Sequence, residues 1–203
     1  HELNMRLAGK SYMDIMNAGG GIHYTTTKTR EASFDELYDK TYEHLNDFLR
    51  HGITTVEAKS GYGMNWETEL KQLEVAKKLQ QNHAVDVVST FMGAHAVPKE
   101  YKGNEDTFVK LLIEDMIPTV AKLGLAEFND VFCEKGVFTP AQSRLILGAG
   151  KAHGLTPKIH ADEIEPYEGA ELAAEMGAIS AEHLLVASDE GIEAMAKAGT
   201  IAV

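Results

Sequence analysis

A chain of 203 residues, 44% hydrophobic and 25% charged, has an ordinary globular composition with room for one substantial core. Nineteen Lys and Arg stand against 31 Asp and Glu, a net charge of −12 spread along the chain, which excludes nucleic acid and anionic membrane as expected partners. The single cysteine, Cys133, excludes an internal disulfide framework and suits a reducing compartment. With no leader-like opening and no apolar run of membrane-spanning length, a cytoplasmic protein is expected.

In chain order, residues 11–16 read as a short helix ending at Gly19-Gly20-Gly21. Ser33 with Glu36 forms a capping box, and Phe34, Leu37, Tyr38, Tyr42, Leu45, Phe48 and Leu49 recur at helical spacing up to Gly52. The β-branched stretch 53–58 follows as a strand. The same order then repeats. Helices near 67–81 and 107–123 lead to strands at 85–91 and 125–132. Thr139-Pro140 starts a helix running to His153 before the strand into His160; Pro166 opens another, closed at Gly177 before 178–181. A last helix from Asp189 closes at Gly199 before 200–203. Glycine in front of five of these strands (Gly52, Gly124, Gly154, Gly177, Gly199) is the expected helix stop.

Six strands joined by five helices imply parallel pairing, each helix serving as a crossover. Lys59 and Tyr62, His95, Glu134, His160 with Glu163, and His183 all fall at or just past strand C-terminal ends, which favours a (β/α)8 TIM-type barrel over an open, doubly wound sheet. Eight strands are needed, so residues 1–203 are expected to be an incomplete barrel lacking its first and last strands, a piece of a longer protein whose open edges would admit a homodimer.

The stretch Lys158-Ile159-His160-Ala161-Asp162-Glu163 concentrates the chemistry. Strand alternation puts Lys158 and His160 on one face and Ile159 on the other, with Asp162 and Glu163 poised over the strand end. A lone His160 could be a core histidine; with Glu163, His183 and His95 at neighbouring strand ends it reads as a metal ligand or base. No His-x-His or His-Glu-x-x-His pair occurs, so a metal site would need further ligands. Glu57 and Lys59 read as a buried ion pair, and Cys133 as a core residue. The triple glycine lacks the preceding strand and following Lys-Ser or Lys-Thr of a phosphate cradle.

Beyond these features, Ser11-Tyr12, Thr29-Arg30-Glu31-Ala32-Ser33, Lys59-Ser60-Gly61-Tyr62-Gly63, Gly93-Ala94-His95-Ala96-Val97-Pro98, Asp130-Val131-Phe132-Cys133-Glu134, His160-Ala161-Asp162-Glu163 and Ser180-Ala181-Glu182-His183-Leu184 span nearly the whole chain. In that order they resemble the imidazolonepropionase family of the amidohydrolase superfamily; His23-Tyr24 after the glycines departs from its usual smaller residues. The resemblance implies a metal-dependent hydrolase of histidine degradation that opens the cyclic amide of 4-imidazolone-5-propanoate to N-formimidoyl-L-glutamate with one zinc or iron ion. It implies His160 as a metal ligand, Glu163 and His183 as catalytic residues, and Tyr12, Tyr62 and His95 as substrate-binding. It also implies a His-x-His pair and an arginine upstream, an aspartate on the eighth strand downstream, and a small flanking β domain. Two alternatives stay open: another cyclic amidohydrolase or deaminase, and a catalytically silent barrel fragment.

Overall fold

A computed structural model describes residues 2–10 and 20–203; the helix expected at 11–16 lies outside them. A short helix α1 (Glu2–Leu7) precedes α2 (Ile22–Glu31) and α3 (Phe34–Arg50). There follow β1 (Thr55–Lys59), α4 (Trp66–Asn82), β2 (Asp86–Ala94), α5 (Glu105–Leu111), α6 (Ile117–Leu123), β3 (Phe128–Cys133), α7 (Pro140–Ala152), β4 (Thr156–Ala161), α8 (Gly169–Met176), β5 (Ser180–His183), α9 (Asp189–Ala198) and β6 (Ile201–Ala202). The strands form one parallel sheet in the order β1-β2-β3-β4-β5-β6. Strict sequential order has no reversal point, and so distinguishes part of a barrel from a doubly wound sheet.

Most strands begin a few residues later than the apolar pattern implies, and the glycines explain why. Gly52, Gly124, Gly154, Gly177 and Gly199 all have left-handed φ between 59° and 84°. The residue after each still bonds back to its helix: the N–H groups of Ile53, Leu125, Leu155, Ala178 and Thr200 donate to the carbonyls of Phe48, Val120, Gly150, Ala173 and Met195. These five helix terminators consume the first residue of the strand expected after each glycine before sheet pairing starts.

Two starts depend on capping boxes, Ser33 with Glu36 for α3 and Thr139 with Gln142 for α7. The helix expected from Pro166 instead begins at Gly169, because the intervening residues wrap around a buried carboxylate described below. Between α5 and α6 a π-helical stretch, Leu112–Met116, carries the chain up to Pro118, whose missing N–H cannot support a regular turn.

Outward-facing Val131, Ile159, Ala161 and Ala181 pack with Ile146, Leu147, Leu172 and Ala173 of the covering helices in the main core. Cys133 lies in that core, fully buried, and burial pushes its thiol up to about 11, so it is an inert apolar side chain. A second cluster joins Leu45 of α3 to Val75, Ala76 and Leu79 of α4 and to Val85 and Val87. The opposite face of the sheet carries a polar network among apolar side chains such as Phe128 and Phe132.

Candidate active site

The inward parity of β1 to β5 carries charged and polar side chains. Glu57 and Lys59 on β1, Thr90 on β2, Asp130 on β3, Lys158 and His160 on β4, and Ser180 and Glu182 on β5 form one connected network. Lys59 Nζ lies 2.9 Å from Glu57 Oε1, 2.8 Å from Asp130 Oδ2 and 3.3 Å from Glu182 Oε1. Lys158 Nζ lies 2.8 Å from Glu57 Oε2 and 3.1 Å from Glu182 Oε1. The expected Glu57–Lys59 pair is therefore one edge of a larger cluster in which three carboxylates face two ammoniums. Burial opposes charge on Lys59, but the field of Asp130 and the bonds to Asp130 and Glu57 outweigh it and raise its pKa.

His160 sits at the top of this network. Its Nδ1 is 3.1 Å from Asp130 Oδ1. Asp130 is fully buried, which works against its charge, yet the bond to His160 and the ammonium of Lys59 hold its carboxyl below the ordinary range. An ionised carboxylate only accepts, so His160 Nδ1 donates and Nε2 is left on the opposite edge of the ring. Glu182 Oε2 is buried without a hydrogen-bond partner among the described residues, 4.0 Å from the same Nδ1.

Around His160 the mouth closes in. Its ring centroid is 5.1 Å from that of His183 and 6.4 Å from that of His95. His183 arrives by an unusual route: it pairs with Ala161, which faces outward, so simple alternation would point it into the helical layer. Left-handed backbone at His183 (φ 77°) and Leu184 (φ 53°) turns its ring back over the strand end. There its Nε2 lies 3.4 Å from Glu163 Oε2.

Two buried carboxylates shape the loop that presents Glu163. Glu134 accepts from the N–H groups of Ile164 and Glu165, and Asp162 accepts from Tyr167, Gly169 and Ala170. This corrects the expectation that Asp162 stands over the strand end as a second acid. It faces away from the mouth and holds the start of α8, because these N–H groups have no helical carbonyl to meet.

The loop after β1 is built the same way. Glu69, fully buried on α4, accepts from Gly61 N (2.7 Å), Gly63 N (2.7 Å) and Met64 N (3.0 Å), while Arg30 donates to the carbonyls of Gly63 and Met64. Burial raises the Glu69 carboxyl above its ordinary value. The loop holds Tyr62 edge-on against His95, centroids 5.0 Å apart. His95 Nδ1 donates to the Gly61 carbonyl (3.0 Å), and burial lowers its pKa, which leaves a neutral ring with Nε2 as an acceptor. A bulge in β2 between Phe91 and Ala94 sets the position of His95 beyond it.

Of the residues singled out from sequence, His160, His183, Glu163, His95 and Tyr62 converge on one mouth; Tyr12 lies outside the described residues. Sequence reasoning missed Asp130, Glu182 and Glu69. The first two were detectable by carrying the parity of His160 to its neighbours, since His160 pairs with Phe132 and Glu182, and Asp130 with Lys158. Asp130, His160 and Glu182 each offer a donor atom, all within 4.8 Å of one another. Two ammoniums occupy one oxygen each of Asp130 and Glu182 on the Nδ1 side of the ring, so the donor of this set that faces the mouth is His160 Nε2, with the acidic cluster behind it. That nitrogen fits one ligand of a divalent metal ion, with Asp130 and Glu182 behind the imidazole rather than on the metal.

No protein-family model matches the chain. Among solved structures, a 5-methylcytosine deaminase from Klebsiella pneumoniae superposes with a TM-score of 0.65 at 14% identity, covering 89% of this chain and 46% of that one. An ochratoxinase from A. niger gives 0.59 at 16%, covering 87% and 47%. The fold is thus a six-stranded part of a (β/α)8 barrel. The chain is 69% identical over 202 residues to an imidazolonepropionase of Geobacillus sp. (strain WCH70), 68% over 203 to that of Brevibacillus brevis, and 55% over 201 to that of Streptococcus gordonii. These alignments take in 99–100% of the chain and 48% of each relative. Over its whole length the chain is similar to imidazolonepropionases, and it spans about half the length of the curated relatives it matches.

Proposed function

We propose that this chain supplies most of the catalytic barrel of an enzyme that hydrolyses the cyclic amide of 4-imidazolone-5-propanoate to N-formimidoyl-L-glutamate. The observation that carries this reading is the meeting of Glu163, His183 and His160 at one barrel mouth, in a chain similar over its whole length to imidazolonepropionases. In this reading, the other half of the relatives' length contributes the two remaining strands, a small β domain and the further metal ligands. The setting is cytoplasmic; among the described residues no helix is long and apolar enough to cross a membrane.

His160 would hold the metal through Nε2. A zinc or iron ion held there would supply Lewis acidity toward a water and the ring carbonyl. Glu163 takes the proton of that water as its oxygen attacks the ring carbonyl, and later delivers the proton to the departing ring nitrogen as the C–N bond breaks. His183, beside Glu163, stabilises the oxyanion that develops on the carbonyl. The neutral Nε2 of His95 accepts from a substrate N–H, and Tyr62 closes the rim against it.

The test is turnover of imidazolonepropanoate by the full-length protein, followed by appearance of formimidoylglutamate, beside a panel of other cyclic amides and purine or pyrimidine bases. Hydrolysis or deamination of another ring, with none of this one, would refute the assignment. Metal analysis of the same preparation, about one zinc or iron per chain, decides the cofactor.

A further inference from the structure

We infer that Asp130, itself held by Lys59, is a positioning residue that locks His160 in the Nδ1–H tautomer and aims Nε2 into the barrel mouth. The inference rests on the proposed reading of His160 as a metal ligand and extends it to a residue on a different strand, two positions below the mouth of β3. Three observations combine. The Asp130 carboxylate is completely buried and has one oxygen on His160 Nδ1 at 3.1 Å and the other on Lys59 Nζ at 2.8 Å. Register is fixed by sheet pairing, with Asp130 opposite Lys158 and Phe132 opposite His160, so the contact is a diagonal between adjacent strands and cannot slide. The only other carboxylate oxygen near Nδ1 among the described residues, Glu182 Oε2, is 4.0 Å away and buried without a partner, so it cannot replace Asp130 in its present place.

The chemistry follows from the donor inventory. Neutral imidazole carries one proton, and only the unprotonated nitrogen can ligate a metal. A carboxylate at Nδ1 places the proton there, leaves the Nε2 lone pair free, and makes that lone pair more basic. Lys59 completes the device: with an ammonium on Oδ2, that end of residue 130 must be an acceptor. Asp130→Asn therefore has no good arrangement. Its carbonyl oxygen turns to Lys59, its NH2 turns to His160, and Nδ1 becomes an acceptor with the proton forced onto Nε2.

The first measurement needs no variant. In the metal-free, full-length protein labelled with 15N-histidine, His160 is expected to be protonated at Nδ1 by one-bond and long-range 15N–1H correlations, its signals assigned by their absence in His160→Asn. A wild-type His160 protonated at Nε2 would overturn the inference. Zinc affinity is then measured by chelator competition in the wild type, Asp130→Asn and His160→Asn. Asp130→Asn should bind zinc about 10- to 100-fold more weakly and show the Nε2–H tautomer. If His160→Asn loses zinc binding while Asp130→Asn binds like wild type, the positioning role fails and the ligand assignment stands. Zinc bound equally well by all three would instead overturn the reading of His160 on which the inference rests.

Discussion

His183 Nε2 and Glu163 Oε2 lie 3.4 Å apart because two departures from regular strand geometry point them at each other. His183 is turned over by a left-handed backbone, and Glu163 follows Asp162, which is also left-handed at φ 49°. The carboxylate and imidazole to which we assign acid–base and oxyanion roles are thus brought together by backbone conformations that carry a steric cost, of order 1–3 kcal/mol each, with the loop around Asp162 held by the buried Glu134 and Asp162 carboxylates. Glu163→Gln keeps the shape and removes the base. It should retain metal and lower turnover by about 10²-fold or more. Full activity in that variant, measured beside metal content, would remove Glu163 from the mechanism.

The loop that carries Glu163 depends on Glu134, which is buried and accepts from the N–H groups of Ile164 and Glu165. In Glu134→Gln the amide NH2 must face one of these donors. The expected loss is about 1–3 kcal/mol of stability, read as a lower urea midpoint; an unchanged midpoint would mean the loop is held elsewhere.

Gly61 is a backbone requirement. Its φ is 103°, and a Cβ there would lie 2.7 Å from the Met92 carbonyl oxygen and 2.9 Å from His95 Cβ. Gly61→Ala should displace the loop from His95, raise KM for the substrate more than it lowers kcat, and cost about 1–3 kcal/mol in stability. Equal KM values for the two proteins would show that the loop tolerates the side chain.

Burial depresses the pKa of His95 below its ordinary 6.5 in the folded protein. Between the folded and unfolded values the unfolded chain binds the extra proton, so stability rises with pH through that window and is lost as pH falls from 6.5 through the folded pKa. Wild type should therefore lose stability relative to His95→Gln on acidification from about pH 6.5, as seen in urea midpoints across that range. A constant difference between the two would contradict a buried, neutral His95.

Removing the Thr139 hydroxyl strips the cap of α7, whose Oγ1 accepts from Gln142 N at 3.2 Å while Gln142 returns a bond to Thr139 N at 3.0 Å. Thr139→Ala should cost about 1 kcal/mol by denaturant unfolding, with metal binding untouched. A larger loss that also removed the metal would tie α7 to the site directly.

Much of this was legible in the sequence because it is governed locally. Capping residues, glycine stops and apolar periodicity act within one or two turns, so Ser33, Thr139 and the five glycines located the helix ends, and the repetition of helix, glycine and strand implied parallel pairing. The polar residues His95, His160, Glu163 and His183 stood out because charge at strand ends is unusual in an otherwise apolar repeat. What the sequence left open was decided by strand register and by contacts across many residues. Asp130 meets His160, Lys59 meets Asp130, and Glu69 gathers three N–H groups from a loop on another element, all through pairings that exist only once the sheet has formed. Asp162 and Glu163 are adjacent carboxylates that no local rule separates. Only the tertiary structure turned Asp162 toward the helical layer to cap α8 and left Glu163 facing His183, because the unpaired N–H groups of α8 lie on one side of the loop and the barrel mouth on the other.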